Sequence, residues 1–591
     1  MKILYGTCNF ATIRTEGSLY VDKTPFLPLL ENLSGRYQLF LRPRRFGKST
    51  LLSMLEHYYD INHADRFDEL FRGLWVHQNP TPEKNKYLVL SLDFSPVRSD
   101  GTVAEIRTSF ARTIKVALRS FINRYKTVVP DLTMASSIVG SDDDDAGALV
   151  ADVLQIVAAA GHSVYLLIDE YDHFGNRLLS DGEESTYRTL VGTNGYIRNF
   201  YGSLKALTRT SLVRMFVTGV SPIMLDDLSS GFNIIAHISQ LCEFNALAGF
   251  TRVDVERAVD DLLRAKPQLA TDERLGNRDQ LMGALERYYN GYRFSPVASE
   301  RLYNSTLVIY FLAAVSSTGG YPRQMLDLNV RTDYGRLHAI ARAATERDTE
   351  MRELLEEILT NESVQSPLVE QFGTRISLDR ARLVSLFYYM GMLTFSENAV
   401  ETVEPQLVVP NRVMRELQWS YLALALEDHD HIKIDMTYVE NALTKMSVTG
   451  DIQPFVKIFH DQVVKRIGLR ELLKFDEQTM KLMLFAYVAQ TQAFYLMTEK
   501  EFNQGYCDLL LGLRGIGTAA KHAWIIEAKY VKTDATENEI EAAIQQGFAQ
   551  IEKYTADKDL VAMLTRGHFL KAGVLMFVGV KDVFFRAWPK T

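Results

Sequence analysis

At 591 residues, with 65 basic against 73 acidic side chains and a net charge of −8, the chain is too long for one core and too acidic to be a uniformly basic nucleic-acid coat. Its cysteines, Cys8, Cys242 and Cys507, stand far apart with no C-x-x-C pair, which argues against a zinc site or a disulfide framework and for a reducing compartment. With no apolar leader and no apolar run of membrane-spanning length, the expectation is a soluble cytoplasmic protein without a membrane partner.

In chain order, Leu19-Tyr20-Val21-Asp22-Lys23-Thr24 and a helical stretch to residue 33 precede a short apolar strand at 38–41. After that strand comes Arg42-Pro43-Arg44-Arg45-Phe46-Gly47-Lys48-Ser49-Thr50, whose end matches the second half of the phosphate-binding pattern G-x-x-x-x-G-K-[ST]. A helix starting at Gly47 offers unpaired N–H groups and a partial positive charge to an anion. Gly47 lets the backbone approach phosphates, Lys48 reaches the β and γ oxygens, and the Ser49 hydroxyl suits Mg²⁺; Arg45 and Thr50 complete the candidate nucleotide-binding set. Arg42 stands where the generic pattern has its first glycine. Arg42, Arg44 and Arg45 either touch phosphates or pair with nearby acids. The aromatic segment at Tyr20 packs either on a base or on the sheet edge.

Further apolar strands are predicted at 87–94, 162–170, 212–217 and 233–241, alternating with helices at 103–125 and 146–160. The acidic run at 142–145 reads as a solvated turn. This alternation predicts a doubly wound parallel sheet with its ligand site at the strand C-termini. The strand ending in Asp169-Glu170 supplies what a phosphate loop needs: Asp169 for Mg²⁺, and Glu170 to polarise the attacking water. Thr218, at the tip of the next strand, is placed to sense a γ-phosphate, and Asp172 reads as a supporting carboxylate. From residue 251 the pattern turns helical through Tyr289-Asn290-Gly291-Tyr292-Arg293-Phe294, and 340–450 reads as further helices between polar loops.

The C-terminal part is mixed. A helix is expected at 477–494, strands at 505–513, 523–530 and 573–579, and a helix at 537–554. Asp508 lies on one strand of an expected hairpin; Glu527 and Lys529, two apart on the next, point to the same side. Carboxylates on adjacent strands form a hard-oxygen cage for Mg²⁺ or Mn²⁺. Lys529 is suited to orient or deprotonate a water, or to steady the charge on phosphorus. Gln550 and Tyr554, four apart, share a helix face.

The order of Glu477, Asp508, Glu527-x-Lys529 and Gln550-x-x-x-Tyr554 resembles the PD-(D/E)XK nuclease fold, with Gln550 and Tyr554 like the helix motif of RecB-like members and Glu477 like the acid of the first motif. Gly505-Tyr506-Cys507 precede Asp508, where many relatives have a glycine and a basic residue. Together with the Tyr20–Thr24 and Arg42–Ser49 motifs, Asp169-Glu170-Tyr171-Asp172, Thr218-Gly219-Val220-Ser221 and Tyr289-Asn290-Gly291-Tyr292, the chain resembles a bacterial family that joins an AAA-ATPase-like domain to such a nuclease domain, in which the arginine-rich loop is the usual one.

The resemblance implies an AAA-like P-loop domain at 1–245, a helical lid at 246–335, a helical linker at 336–455 and a nuclease-like α/β domain at 456–591. It implies ATP and Mg²⁺ (or Mn²⁺) as cofactors, nucleic acid, chiefly DNA, as partner, and a homo-oligomer. The catalytic set would be Glu170, Asp508, Glu527, Lys529, Gln550 and Tyr554, with metal at Ser49 and Asp169 and at Glu477, Asp508 and Glu527. The expected function is ATP-regulated cleavage of phosphodiester bonds, with defence against foreign DNA suggested by the domain pairing. The alternative is a nucleotide-dependent switch or scaffold whose nuclease fold only binds nucleic acid or a partner.

Overall fold

The computed structural model describes residues 2–140, 144–192, 194–224, 232–272, 275–322, 324–327, 348–370, 372, 379–397, 403–430, 435–464, 477–489, 491, 493–497, 509–513, 519–579 and 581–589. The chain forms two compact units, Met1–Met351 with Asn361–Met414, and Arg352–Thr360 with Arg415–Thr591.

The first unit is built on five parallel strands: β1 (Tyr37–Leu41), β2 (Leu88–Asp93), β3 (Val164–Asp169), β4 (Leu212–Gly219) and β5 (Ala236–His237), in the order β2-β3-β4-β1-β5. β3 shows why they are parallel and central. Val164 to Ile168 are each at most 2% exposed, so both faces are covered and the strand reads as one apolar run rather than an alternation. Each aliphatic side chain so buried contributes about 1.5–3 kcal/mol.

Helix Lys48–Tyr59 packs on β2 and β3, and helix Val103–Tyr125, started by a Thr102–Glu105 capping box, packs on β2. Because β4 lies between β1 and β3, the C-terminal ends of these three strands are neighbours, and the loops after them meet.

The predicted strand at 233–241 shrinks to Ala236–His237. The middle segment, expected to be helical, also carries a small antiparallel sheet of β6 (Ser363–Gln365), β7 (Thr394–Phe395) and β8 (Gln406–Val408), ordered β6-β8-β7. Strands of two or three residues are too short for a period of two to show.

The second unit holds β9 (Phe494–Met497), β10 (Leu509–Leu513), β11 (His522–Val531), β12 (Phe569–Val578) and β13 (Asp582–Ala587), ordered β13-β12-β11-β10-β9. Only β11 and β12 run parallel; the remaining pairs are antiparallel, so β10 and β11 are an antiparallel pair as expected. Helix Glu537–Ala556, opened by a Thr536–Glu539 capping box, crosses from β11 to β12 and packs on both. The predicted helix at 477–494 ends at Ala489, and Phe494 already belongs to β9. Among the described residues no helix is long and apolar enough to cross a membrane.

Candidate functional site

The loop after β1 turns into helix Lys48–Tyr59 through Gly47, which caps the helix with φ 89° in the left-handed region. Arg45 is also left-handed, at φ 71°. The Lys48 side chain is buried, and its ammonium donates to the carbonyls of Arg42 (2.8 Å) and Pro43 (3.1 Å). Burial pushes its pKa down, against the opposing charges of Glu170, Asp169 and Asp172.

The arginine-rich loop divides by role. Arg42 is 1% exposed, and none of its hydrogen-bond partners among the described residues is an acid. Its guanidinium donates to the carbonyls of Leu41, Ser239, Phe244 and Asn245, and lies 4.3 Å from the Phe40 ring centroid and 4.2 Å from that of Phe294. Phe46 is fully buried, edge-on to Tyr292 and Phe294. The loop is thus docked onto the Tyr289–Phe294 turn by its first and fifth residues. Arg44 and Arg45 line the cavity instead.

Across from the loop, Asp169 ends β3. Ser49 Oγ donates to its Oδ2 at 2.5 Å, and Thr218 Oγ1, from the end of β4, donates to its Oδ1 at 2.6 Å. Burial raises the Asp169 carboxyl above its ordinary pKa, while these two hydrogen bonds and the Lys48 charge pull it back. Thr218 is fully buried and its hydroxyl is spent on Asp169 and on the Ile168 carbonyl, so it supports the carboxylate from behind rather than facing the cavity.

Glu170 sits at φ 50°, and His173 Nδ1 is 2.6 Å from its Oε2. Burial would raise this carboxyl, but the His173 hydrogen bond and the charges of His173, Arg44 and Lys48 outweigh it and hold it at about 2.

Asp172 serves the fold. It is 1% exposed and accepts from the backbone N–H groups of Val220 and Ser221, the Ser221 hydroxyl and the Asn176 amide. A Cβ at Gly219 would lie 2.4 Å from the Tyr171 ring, so the aspartate-glutamate-tyrosine-aspartate and threonine-glycine-valine-serine motifs require each other.

Between these parts lies a cavity of about 520 Å³. Gly47, Lys48, Ser49 and Thr50 form its polar end with Glu170 and His173. Ile13, Tyr20, Val21, Leu247, Phe250 and Ile309 line it elsewhere. Tyr20, left open as a base neighbour or a packing residue, therefore both lines the cavity and packs edge-on against Phe10. Arg214 and Arg293 are buried on partners of their own, Glu83 and the Glu31 carbonyl for the first and the Ser396 carbonyl for the second.

In the second unit, Glu527 is 1% exposed on β11, and Lys529 Nζ donates to its Oε1 at 3.0 Å. Asp508 lies outside the described residues, as does the side chain of Glu477, which opens its helix. The residue after Asp508, Leu509, pairs with Ile526, the residue before Glu527. Gly547, Ile551 and Tyr554 are buried along one face of the crossing helix, and half-buried Gln550 sits between them with its Oε1 buried and no hydrogen-bond partner among the described residues. Sequence reasoning missed His173 and Gly547. Spacing holds a signal for each: His173 is three residues after Glu170, and Gly547 is one helical turn before Gln550.

Comparison with known proteins adds the family level. Residues 4–229 match the AAA-ATPase-like family, described as "Predicted AAA-ATPase", and residues 475–579 match the PD-(D/E)XK nuclease superfamily. A curated relative, an uncharacterized protein in the vnfD 5′ region of Azotobacter chroococcum mcd 1, is 28% identical over 320 residues, 51% of this chain. The chain spans about half (50%) of that relative's length. Among solved structures, Cdc6p from Pyrobaculum aerophilum is 12% identical, with 68% of this chain and 91% of that one covered and a TM-score of 0.20. The chain therefore joins an N-terminal AAA-ATPase-like domain to a C-terminal domain of the PD-(D/E)XK nuclease superfamily.

Proposed function

We propose that the protein hydrolyses ATP in its first unit and cuts nucleic-acid phosphodiester bonds in its second, the nucleotide state governing the cut. The observation that carries the nucleotide half is the contact of Ser49 and Thr218 with the two oxygens of Asp169, beside buried Lys48. A hydroxyl and a carboxylate in contact are a hard-oxygen donor set that fits Mg²⁺. Gly47, Lys48, Ser49 and Thr50, with Arg45, hold the phosphates at the helix start, and Glu170 takes the proton of the attacking water. The apolar walls of the cavity suit the base.

In the second unit, buried Glu527 is one arm of a divalent-cation site, with Asp508 and Glu477 as the others. A bound Mg²⁺ or Mn²⁺ supplies Lewis-acid activation there. Lys529 neutralises Glu527 and steadies charge on the phosphate, and Gln550 and Tyr554 orient the reacting groups. The substrate class is DNA, the setting defence against foreign DNA, and the working form a cytoplasmic homo-oligomer.

The test measures cleavage of plasmid and single-stranded DNA with Mg²⁺ or Mn²⁺, with and without ATP. Cleavage by wild type but not by Asp508→Ala or Lys529→Ala, and altered by Lys48→Ala, is the expected result. Wild-type cleavage no greater than that of Asp508→Ala sinks the nuclease reading.

A second reading is favoured by the Glu170–His173 pair, which ties up the proposed base. In it the protein is a nucleotide-dependent switch whose nuclease fold binds without cutting. There, Lys48→Ala abolishes the response to nucleotide while Glu527→Ala leaves it intact.

A further inference from the structure

The phosphate loop departs from the generic pattern, yet its backbone has a shape that binds anions. Arg45 at φ 71° and Gly47 at φ 89° are both left-handed, with Phe46 between them. Backbone that alternates in this way gathers successive N–H groups into one concavity that seats an anion. Glycine enters the left-handed region without steric cost, but an arginine is held there only by its surroundings.

Those surroundings come from much later in the chain. Ser305 Oγ and the Thr306 N–H both donate to the Arg45 carbonyl, each at 3.2 Å. The Gly249 N–H donates to the next carbonyl, that of Phe46, at 2.9 Å. These donors share one support. Phe250 and Tyr303 exchange both backbone hydrogen bonds, at 3.1 and 2.8 Å, and so fix Gly249 beside the start of helix Ser305–Thr318. Asn304 caps that helix by accepting from the Leu307 N–H, which leaves the Thr306 N–H for the loop.

A trans peptide is planar, so its C=O and N–H point in opposite directions. With the Arg45 and Phe46 carbonyls drawn toward Gly249, Ser305 and Thr306, the N–H groups of Phe46 and Gly47 face away from this clamp. Among the described residues neither of these two N–H groups has a hydrogen-bond acceptor. Ser305 Oγ lies 3.4 Å from where a Cβ at Gly47 would be, and Gly249, Ser305 and Thr306 all line the nucleotide cavity.

We propose that Ser305 is a positioning residue for phosphate binding. Its hydroxyl, with the N–H groups of Thr306 and Gly249, clamps two consecutive loop carbonyls and so presents the Phe46 and Gly47 N–H groups to the phosphates. The clamp, 260 residues away in the chain, does for Arg45 what a glycine does in the generic loop. This rests on the reading of the loop as the phosphate site.

The test is displacement of a fluorescent ATP analogue from the full chain in Mg²⁺ by ATP, inorganic pyrophosphate and adenosine, for wild type, Ser305→Ala and Ser305→Cys. Cysteine keeps the shape of serine but donates only weakly. Both variants should bind ATP and pyrophosphate at least about threefold more weakly, as the loss of one neutral hydrogen bond implies, and adenosine within about twofold of wild type. Unchanged ATP affinity in Ser305→Ala overturns the proposal. An equal loss for adenosine and pyrophosphate also overturns it, because Ser305 then serves the fold of the whole cavity. Wild-type affinity in Ser305→Cys does the same, because the role is then packing. A wild-type chain that does not bind the ATP analogue is a different result, in which the nucleotide reading itself fails.

Discussion

Gly547 on the crossing helix faces Glu527 on β11: a Cβ at position 547 would lie 3.5 Å from Glu527 Cγ and 2.5 Å from Val574 Cγ2. The absent side chain lets the helix carrying Gln550 and Tyr554 lie directly on the strands that carry the acid. Neither β11 nor β12 has room to give, since Ile526, Ala528 and Val574 are at most 1% exposed.

Gly547→Val should therefore push the helix away from β11. Overpacking of this kind costs about 1–3 kcal/mol, more than the few tenths gained in helix propensity over glycine. Denaturant unfolding of the full chain checks it: the transition assigned to the second unit should move to lower denaturant, and that of the first unit should stay.

Arg42→Gly restores the generic loop glycine and tests what the arginine does. It removes a guanidinium that satisfies four carbonyls between two rings. Leaving those buried acceptors without partners should cost at least about 3 kcal/mol. The expected outcome is a less stable first unit and no gain in ATP affinity, read by chemical denaturation and calorimetric titration.

Lys48→Ala should weaken ATP binding by more than about tenfold, or about 1.4 kcal/mol, because the buried ammonium at the helix start is lost. Its ammonium bonds to the loop carbonyls of Arg42 and Pro43, so a small loss of stability should accompany it. Calorimetry in Mg²⁺ measures the first, and thermal unfolding the second.

The Glu170–His173 pair makes a pH prediction. Folding holds the Glu170 carboxyl at about 2, below an unfolded value of about 4.3. Its contribution to stability is then present in full above the unfolded value and is lost as pH falls toward the folded one. The melting temperature of wild type should exceed that of Glu170→Gln at pH 6, and the gap should close as pH falls from about 4 toward about 2. A gap that does not change with pH would count against the pairing.

The phosphate loop, the paired acids after β3, the E-x-K strand and the Q-x-x-x-Y helix were all legible in the residues, because each is a local spacing set by the period of one strand or helix. The parallel sheet was legible too, since a strand buried on both faces must be apolar throughout, as 164–168 is. What Arg42 and Phe46 do was not. Their partners, Ser239, Phe244, Asn245, Tyr292 and Phe294, are remote in the chain, and no period links them to the loop.

Asp508 and the Glu477 side chain lie outside the described residues, so their place rests on the motif alone. Thr218 shows the boundary within a single residue. The sequence by itself determined that a polar side chain ends an apolar strand beside the acid. Only the tertiary structure decided that its hydroxyl turns to Asp169 Oδ1, because hydrogen-bond direction depends on how β3 and β4 lie in register, a property of two strands and of neither alone.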